Sequence, residues 1–369
     1  MNKELQNNQR IFGLDVVRAV AITLVLFSHV YYLIDSTNPF LISISGLFGF
    51  TGVELFFVLS GFLIGSILLK MYVTHHFSKK QVLVFLKRRW FRTLPAYYLV
   101  LVLNILLAIY LGYSIEGWWR YFLFLQNFSS YHIIIFTESW SLSIEEFTYI
   151  LTPLVLFFVG KFFQTNRKMS FLFVSLLLLL FFNVMRYIYY LNSSITDMEA
   201  WNLSIKALVI YRIDAIVIGF VVAWLHYYYK DVLRKYAFYA FVTSVHLFFL
   251  QFVVFNVYGF DINTKPLYFR VFYFTFSAFT FALGLPIFVY WNKANIKITK
   301  AVEFVSKISY SIYLLHYSII TVLLKYILNE LQISISASLI VVIYIFITIL
   351  FSYLMYCFYE KPMMKLRDK

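Results

Sequence analysis

The sequence has little charge and only one cysteine. Of its 369 residues 13% are charged and 62% are hydrophobic, and the mean hydropathy is +0.80. An ordinary soluble domain is about a quarter charged, so this composition excludes a soluble globular enzyme, a disordered chain and a secreted disulfide scaffold. A single cysteine, Cys357, excludes an internal disulfide and a metal site built from cysteines. The long apolar runs instead predict an all-α, polytopic membrane protein.

Ten apolar runs are long enough to be membrane-spanning helices, because a helix needs about 20 mostly apolar residues to cross a bilayer. The first run carries ionisable residues and is not followed by a small-residue cleavage site, so we interpret it as a retained helix. No connection between the runs is long enough for a soluble domain. We therefore expect one integral-membrane domain over residues 1–369, with no appended soluble domain. The predicted spans are 12–34, 45–69, 93–113, 140–160, 170–191, 204–229, 236–258, 267–291, 308–328 and 334–358.

Lys and Arg are distributed unevenly between the predicted loops. If the N-terminus is cytoplasmic, the cytoplasmic segments contain 23 of the 31 basic residues, whereas the outer loops contain only Arg120 and Lys265. This imbalance predicts that the N- and C-termini are both cytoplasmic. The net charge of +14 then reflects the topology and an attraction to anionic membrane lipids. It does not indicate a nucleic-acid partner.

Ionisable residues within the predicted spans mark a candidate site, because each costs about 2.5–3.5 kcal/mol to insert. Arg18 and His29 share one face of the first helix and lie roughly 16 Å apart along its axis. Glu54 is expected at about the depth of His29 in the second helix, where its carboxylate could orient the imidazole. The alternative is structural: Arg18 pairs with Asp15, His29 is a hydrogen-bonded buried histidine, and Glu54 is an interfacial acid.

A basic run precedes Pro95 at the predicted start of the third helix. Arg88 and Arg92 are four residues apart and Arg89 and Arg92 are three apart, so each pair shares a helix face. Guanidinium groups bind phosphate through planar, bidentate hydrogen bonds. The run therefore predicts a phosphate-binding site, and its alternative is a positively charged stop at the lipid head groups.

Further polar residues lie in later spans. Glu145 is near the predicted start of the fourth helix, where helix capping alone would explain an acid. Arg212 and Asp214 are two residues apart, so they face different directions and need partners elsewhere in the bundle. His316 is either a site residue or a hydrogen-bonded core histidine. No two histidines within a span have metal-ligand spacing and the 12 glycines are scattered, so we expect neither a metal site nor a glycine-rich phosphate loop.

Taken in order along the chain, these motifs resemble the acyltransferase-3 family of bacterial integral-membrane acyltransferases, and the resemblance covers almost the whole sequence. One departure is Glu54, since the family more often has Asp at this position; the charge is the same. The matching motifs are residues 13–18 with His29, residues 52–61, Arg89 and Arg92 before Leu94 and Pro95, residues 140–147, Arg212 and Asp214 with Gly219, and residues 310–316.

The resemblance implies transfer of an acyl group, often acetyl, from cytoplasmic acyl-CoA to a hydroxyl of a lipid-linked or cell-surface glycan. It implies a multi-pass protein of the bacterial inner membrane, with acyl-CoA as a co-substrate and no permanently bound cofactor. The alternative function is a transporter or flippase for a glycan or anionic substrate, which would line its path with the same buried charges. The sequence shows no internal repeat and no corresponding pair of broken helices to support it.

The resemblance and the helix geometry together predict a mechanism. His29 acts as the general base on the acceptor hydroxyl, oriented by Glu54 or Glu145. An acyl-histidine intermediate is the alternative to direct transfer. Arg18 lies on the path of the pantetheine arm between the phosphate site and His29. The remaining expected roles are donor binding for Arg88, Arg89 and Arg92, and substrate binding or charge stabilisation for Arg212, Asp214, Tyr313 and His316.

Overall fold

The computed structural model describes residues 10–34, 37–74, 77–162, 166–333 and 335–366, and within these ranges the chain forms helices and no strands. Ten of the helices are long and apolar enough to cross a membrane, which confirms the predicted all-α, polytopic architecture. The ten are α1 Phe12–Ile34, α2 Pro39–Thr74, α3 Lys79–Tyr110, α4 Ser139–Phe162, α5 Arg167–Asn192, α6 Val209–Tyr228, α7 Lys230–Val257, α8 Tyr268–Val289, α9 Ile296–Glu330 and α10 Ala337–Leu366.

Two ends of the bundle are used below as reference points. The terminal face is the end at which α1 begins and α10 ends, and the opposite face is the end at which α1 ends at Ile34. The longest connections of the described chain lie at the opposite face, between α3 and α4 and between α5 and α6.

Several helices extend beyond their apolar cores. α3 begins at Lys79 and not near residue 93, because the side chain of Gln81 accepts a hydrogen bond from the Ser78 N–H at 3.3 Å and completes the helix start. The basic run 87–92 therefore lies within α3 and does not open it. Hydrophobicity identifies only the apolar part of each helix, so it does not predict a polar beginning such as residues 79–92.

The sixth predicted span, 204–229, is wrong at its beginning. A π-helical turn, Asn202–Lys206, ends before α6 starts at Val209. The buried amide of Asn127 holds this break, because it donates to the carbonyl oxygens of Ala207 at 2.6 Å and Trp140 at 2.9 Å. The break joins the two long connections of the opposite face to the start of α4.

α2 and α6 cross closely at two glycines. A Cβ atom added to Gly61 would lie 1.9 Å from the carbonyl oxygen of Ile216, and one added to Gly219 would lie 2.4 Å from that of Val58. No side chain fits at either position, so the two helix backbones are in direct contact. α2 also makes extensive contacts with α1, which places it at the centre of the bundle.

We expect Gly61→Ala and Gly219→Ala each to destabilise the protein by more than about 2 kcal/mol, because the added methyl group meets a backbone atom that cannot move aside alone. The measurement is thermal unfolding in detergent followed by circular dichroism. Gly46→Ala is the matched control, since Gly46 lies on the same helix with no atom within 4 Å of the added Cβ. Equal unfolding temperatures for Gly61→Ala and Gly46→Ala would refute the close crossing.

Candidate active site

A pair of histidines lies where α1 meets α9. Nδ1 of His29 is 3.2 Å from Nε2 of His316, and the two rings meet edge to face with their centroids 4.7 Å apart. His316 is fully buried, whereas His29 keeps part of its surface exposed. The sequence predicts both as site residues, and the structure brings them into direct contact.

Backbone carbonyls around the two rings determine where their protons lie. Nδ1 of His316 is 3.1 Å from the carbonyl oxygen of Ile312 and 2.8 Å from that of Tyr313, and a carbonyl oxygen can only accept. We therefore assign the proton of His316 to Nδ1, which leaves Nε2 as an acceptor facing His29. Nδ1 of His29 is also 2.9 Å from the carbonyl oxygen of Val25, so it donates. Neutral His29 is left with a lone pair on Nε2, the basic atom of the pair.

Glu138 supports the segment of α9 that carries His316. This segment is a π-helical turn, His316–Thr321. One carboxylate oxygen of Glu138 accepts hydrogen bonds from the backbone N–H of Ser318 at 3.2 Å and from its hydroxyl at 2.8 Å. The hydroxyl of Tyr313 donates to the backbone carbonyl of Glu138 at 3.1 Å. Glu138, which directly precedes α4, thus forms hydrogen bonds with residues on both sides of His316.

The sequence does not single out Glu138, because a lone acid before a helix resembles an ordinary helix-terminal charge. Its only local signal is its position two residues before Trp140. Burial raises the pKa of the Glu138 carboxyl to about 7. Tyr313, predicted to stabilise charge, has its hydroxyl engaged here, 2.5 Å from Oγ of Ser141.

Glu54 does not orient His29, contrary to expectation. Its carboxylate forms an ion pair with the guanidinium of Arg212, and both side chains are buried. The guanidinium also lies over the ring of Phe274, with its central carbon 3.9 Å from the ring centroid. A buried carboxylate is stabilised by an opposite charge, and Arg212 provides that charge for Glu54. Glu54 and Arg212 therefore neutralise each other between α2 and α6.

Asp214 has a different partner from Arg212, which confirms that the two residues face different parts of the bundle. α6 is interrupted at Ile213, and the Asp214 carboxylate pairs with Arg186 of α5 at 2.7 Å. Thr275 donates to the same carboxylate oxygen at 2.5 Å. Both charged side chains are fully buried. Arg186 was not predicted for the site, because nothing in its own span distinguishes it from a snorkelling arginine.

Glu145 also lies apart from His29. Its carboxylate accepts hydrogen bonds from Ser60 of α2 at 2.8 Å and from Tyr149, one turn further along α4, at 3.0 Å. The guanidinium of Arg89 lies 4.6 Å from the centre of the Tyr149 ring. The 3.6-residue repeat of α4 turns Glu145 toward α2 and α3, so the predicted contact with the imidazole is not formed.

The guanidinium groups of three predicted site residues gather toward the terminal face. Arg18 donates to Asp15 at 3.3 Å and to Ser306 at 3.1 Å, so its expected pairing with Asp15 is confirmed. The charges of Arg89 and Arg92 both act on Arg18. Arg92 is exposed and Arg89 is partly buried. Arg88 lies on the same helix, and its role stays a prediction.

Two further observations describe the surroundings of the site. Within the described ranges, no three His, Cys, Asp or Glu side chains are close enough to bind a metal ion. Lys206 has its ammonium 5.7 Å from the centre of the Trp140 indole. Its charge acts on His29.

The fold and the site define a polytopic helical membrane protein in which two histidines from different spans are in contact. The chain belongs to the acyltransferase-3 family, because the family's model, described as an acyltransferase domain, matches residues 11–357. No solved structure matches the chain.

Two curated relatives from Staphylococcus aureus are similar to this chain. The O-acetyltransferase OatA is 28% identical over 339 residues, which cover 86% of this chain and 53% of that protein. A second protein, provisionally named an O-acetyltransferase, is 27% identical over a region that covers 96% of this chain and 57% of its own length. The chain therefore spans about half the length of the curated relatives it matches.

Replacement of Glu138 by Gln tests its burial through the pH dependence of stability. The pKa of this carboxyl is raised from 4.5 to about 7 in the folded protein, so its contribution to stability is complete below pH 4.5 and is lost as the pH rises through 7. We expect the wild type to lose about 3 kcal/mol from this group between pH 4.5 and 8. Gln should remove that component, which is measured as a flatter plot of unfolding temperature against pH.

Asp261→Asn serves as the control for Glu138→Gln, because Asp261 is exposed and its pKa is lowered by hydrogen bonds from Thr264 and Asn263. This variant should keep the wild-type fall in stability above pH 5. If Glu138→Gln keeps it as well, the carboxyl is not buried in the way described.

Proposed function

We propose that this protein is a membrane O-acyltransferase that transfers an acyl group, most simply acetyl, from acyl-CoA to a hydroxyl of a lipid-linked or cell-surface glycan. The proposed location is the bacterial inner membrane, with both termini in the cytoplasm and the terminal face toward the cytoplasm. The observation that carries the proposal is the engagement of Nδ1 of His29 with His316 and Val25 in a partly exposed side chain, which leaves Nε2 as the basic atom. Family membership and the O-acetyltransferase names of the relatives support it.

The donor would enter from the terminal face. Arg89 and Arg92, together with Arg88, would bind the CoA phosphates through charge-assisted hydrogen bonds. Arg18 lies between this cluster and His29, about 16 Å from the histidine along α1. A thin pantetheine arm suits this distance, since it can reach the histidine while the nucleotide stays at the membrane surface. Arg18 would guide the arm, held in place by Asp15 and Ser306.

His29 would act as the general base. A sugar hydroxyl is too weak an acid to attack a thioester unaided, so Nε2 removes its proton as the oxygen attacks the carbonyl carbon. The C–S bond breaks, and the proton held by His29 passes to the departing CoA thiolate. His316 would hold the imidazole of His29 in the reactive tautomer. In a Ser-His-Asp triad, the carboxylate of the aspartate has this role. An acyl group carried transiently on Nε2 is the two-step version of the same reaction.

Replacement of His29 by Ala should abolish acyl transfer without unfolding the protein, because the base is lost while α1 keeps its backbone. Wild type and variant are incubated in nanodiscs with radiolabelled acetyl-CoA and a pool of lipid-linked glycans. Label in glycan and free CoA are measured, and transfer should fall by at least about 100-fold.

His246→Ala is the matched control for His29→Ala. The Nδ1 of His246 bonds to the carbonyl of the residue four positions earlier, as His29 does, but His246 is exposed on α7. Wild-type transfer by His29→Ala would overturn the base assignment. Movement of glycan across the bilayer without acyl transfer would favour the transporter alternative.

Replacement of Arg89 and Arg92 by Gln should weaken donor binding. Loss of each charge-assisted hydrogen bond is expected to raise the KM for acetyl-CoA by about tenfold or more, because such bonds contribute about 1.5–3 kcal/mol. Steady-state kinetics with varied acetyl-CoA measure the effect, and added salt should reproduce part of it.

Arg234→Gln controls for the loss of a positive charge at the terminal face. Arg234 lies in the first turns of α7, where its guanidinium packs against Tyr290 and not against Arg18. An unchanged KM in both Arg89→Gln and Arg92→Gln would rule out phosphate binding by this cluster.

A further inference from the structure

Lys206 places a positive charge near the histidine pair, at the end away from the arginine cluster. It ends the π-helical turn that precedes α6 on the opposite face. Its ammonium lies 5.7 Å from the centre of the Trp140 ring, and among the described residues it forms neither a hydrogen bond nor an ion pair. The side chain is only partly buried, so a ligand in the site can reach it.

The neighbouring acids are already neutralised. Glu54 is the carboxylate whose charge acts on Lys206, but its own ion pair is with Arg212. Asp214 is paired with Arg186. Because each of these ion pairs is neutral, the positive charge of Lys206 is not compensated by Glu54 or Asp214. Burial, together with the positive charge of Arg212, lowers the pKa of Lys206 to about 8, so the amine is still mostly protonated at pH 7.

The position of Lys206 is defined by its backbone. Arg212 donates to the Lys206 carbonyl oxygen at 3.1 Å, and the Asn127 amide links the next residue, Ala207, to the backbone of Trp140. Asn127 is fully buried. These hydrogen bonds hold the ammonium and the indole next to each other without a ligand. Such preorganisation is typical of binding groups.

We propose that Lys206, held over Trp140, binds an anionic group of the acceptor and makes the protein select anionic acceptors over neutral ones. The proposal rests on the proposed acyl transfer. Its ligand chemistry is a carboxylate or phosphate oxygen, supplied either by an acidic sugar or by the phosphate of a lipid carrier. Because the charge of Lys206 acts on His29, an anionic group bound by Lys206 would bring the acceptor hydroxyl toward the base.

The test compares two soluble tetrasaccharides that differ only by one glucuronic acid in place of glucose, each also supplied as its lipid-diphosphate-linked form. The proteins are wild type, Lys206→Met, which removes the charge but keeps the length of the side chain, and Lys206→Arg, which keeps the charge. Lys265→Met is the control, because Lys265 lies at the same face with its ammonium over an aromatic ring, 4.9 Å from the centre of Phe260. Acetyl transfer and direct binding of each tetrasaccharide by calorimetry are both measured.

We expect wild type to prefer an anionic acceptor over the neutral soluble one by about tenfold or more in kcat/KM. Lys206→Met should bring this ratio close to one through a higher KM for the anionic acceptor, while Lys206→Arg and Lys265→Met retain the preference. A preference for glucuronate among the soluble acceptors identifies the sugar as the source of the anion. A preference only for the lipid-linked forms identifies the carrier phosphate.

Two results would overturn the proposal. One is a wild type without preference for an anionic acceptor in transfer and in binding. The other is a fall in kcat for both acceptors in Lys206→Met with the ratio unchanged, which would assign Lys206 to the reacting atoms. If wild type transfers no acetyl but binds the anionic acceptor through Lys206, the binding site stands and the proposed reaction fails.

Discussion

The ion pair between Glu54 and Arg212 determines how the polar centre of this bundle is arranged. A carboxylate that is bound to a guanidinium is unavailable to an imidazole. The polar neighbour of His29 on α9 is instead a second histidine, His316. The same pair removes the carboxylate that would otherwise neutralise Lys206. One buried contact between α2 and α6 therefore leaves a neutral base and an uncompensated cation close to each other.

Charge is distributed along the bundle in a way that suits the proposed reaction, in which the two substrates come from opposite sides. The arginine cluster around Arg18 lies toward the terminal face, where an anionic donor would bind. The histidine pair lies further along α1, and the long connections of the described chain close the opposite face. The two neutral ion pairs between these regions, which involve α2, α5 and α6, hold the helices in place without attracting either substrate.

Several supports of the site could not be predicted from sequence. The π-helical turn at His316 interrupts an otherwise regular helix, and a 3.6-residue hydrophobic pattern does not reveal such an insertion. Glu138 and Asn127 lie in a long connection without periodicity, where a single polar residue carries no signal of burial. Each becomes recognisable only when the connection is folded against α9 and the start of α6.

The sequence by itself determined the number of spans in the described chain, the membrane class and the family, because these depend on hydrophobicity and on motifs that are local in the chain. It also placed Arg18 and His29 on one face, since helix periodicity is local as well. Only the tertiary structure decided which acid meets which base. Glu54 and Arg212 are 158 residues apart in the chain. Their contact depends on which faces of α2 and α6 pack together, and that is set by shape and burial across the whole bundle.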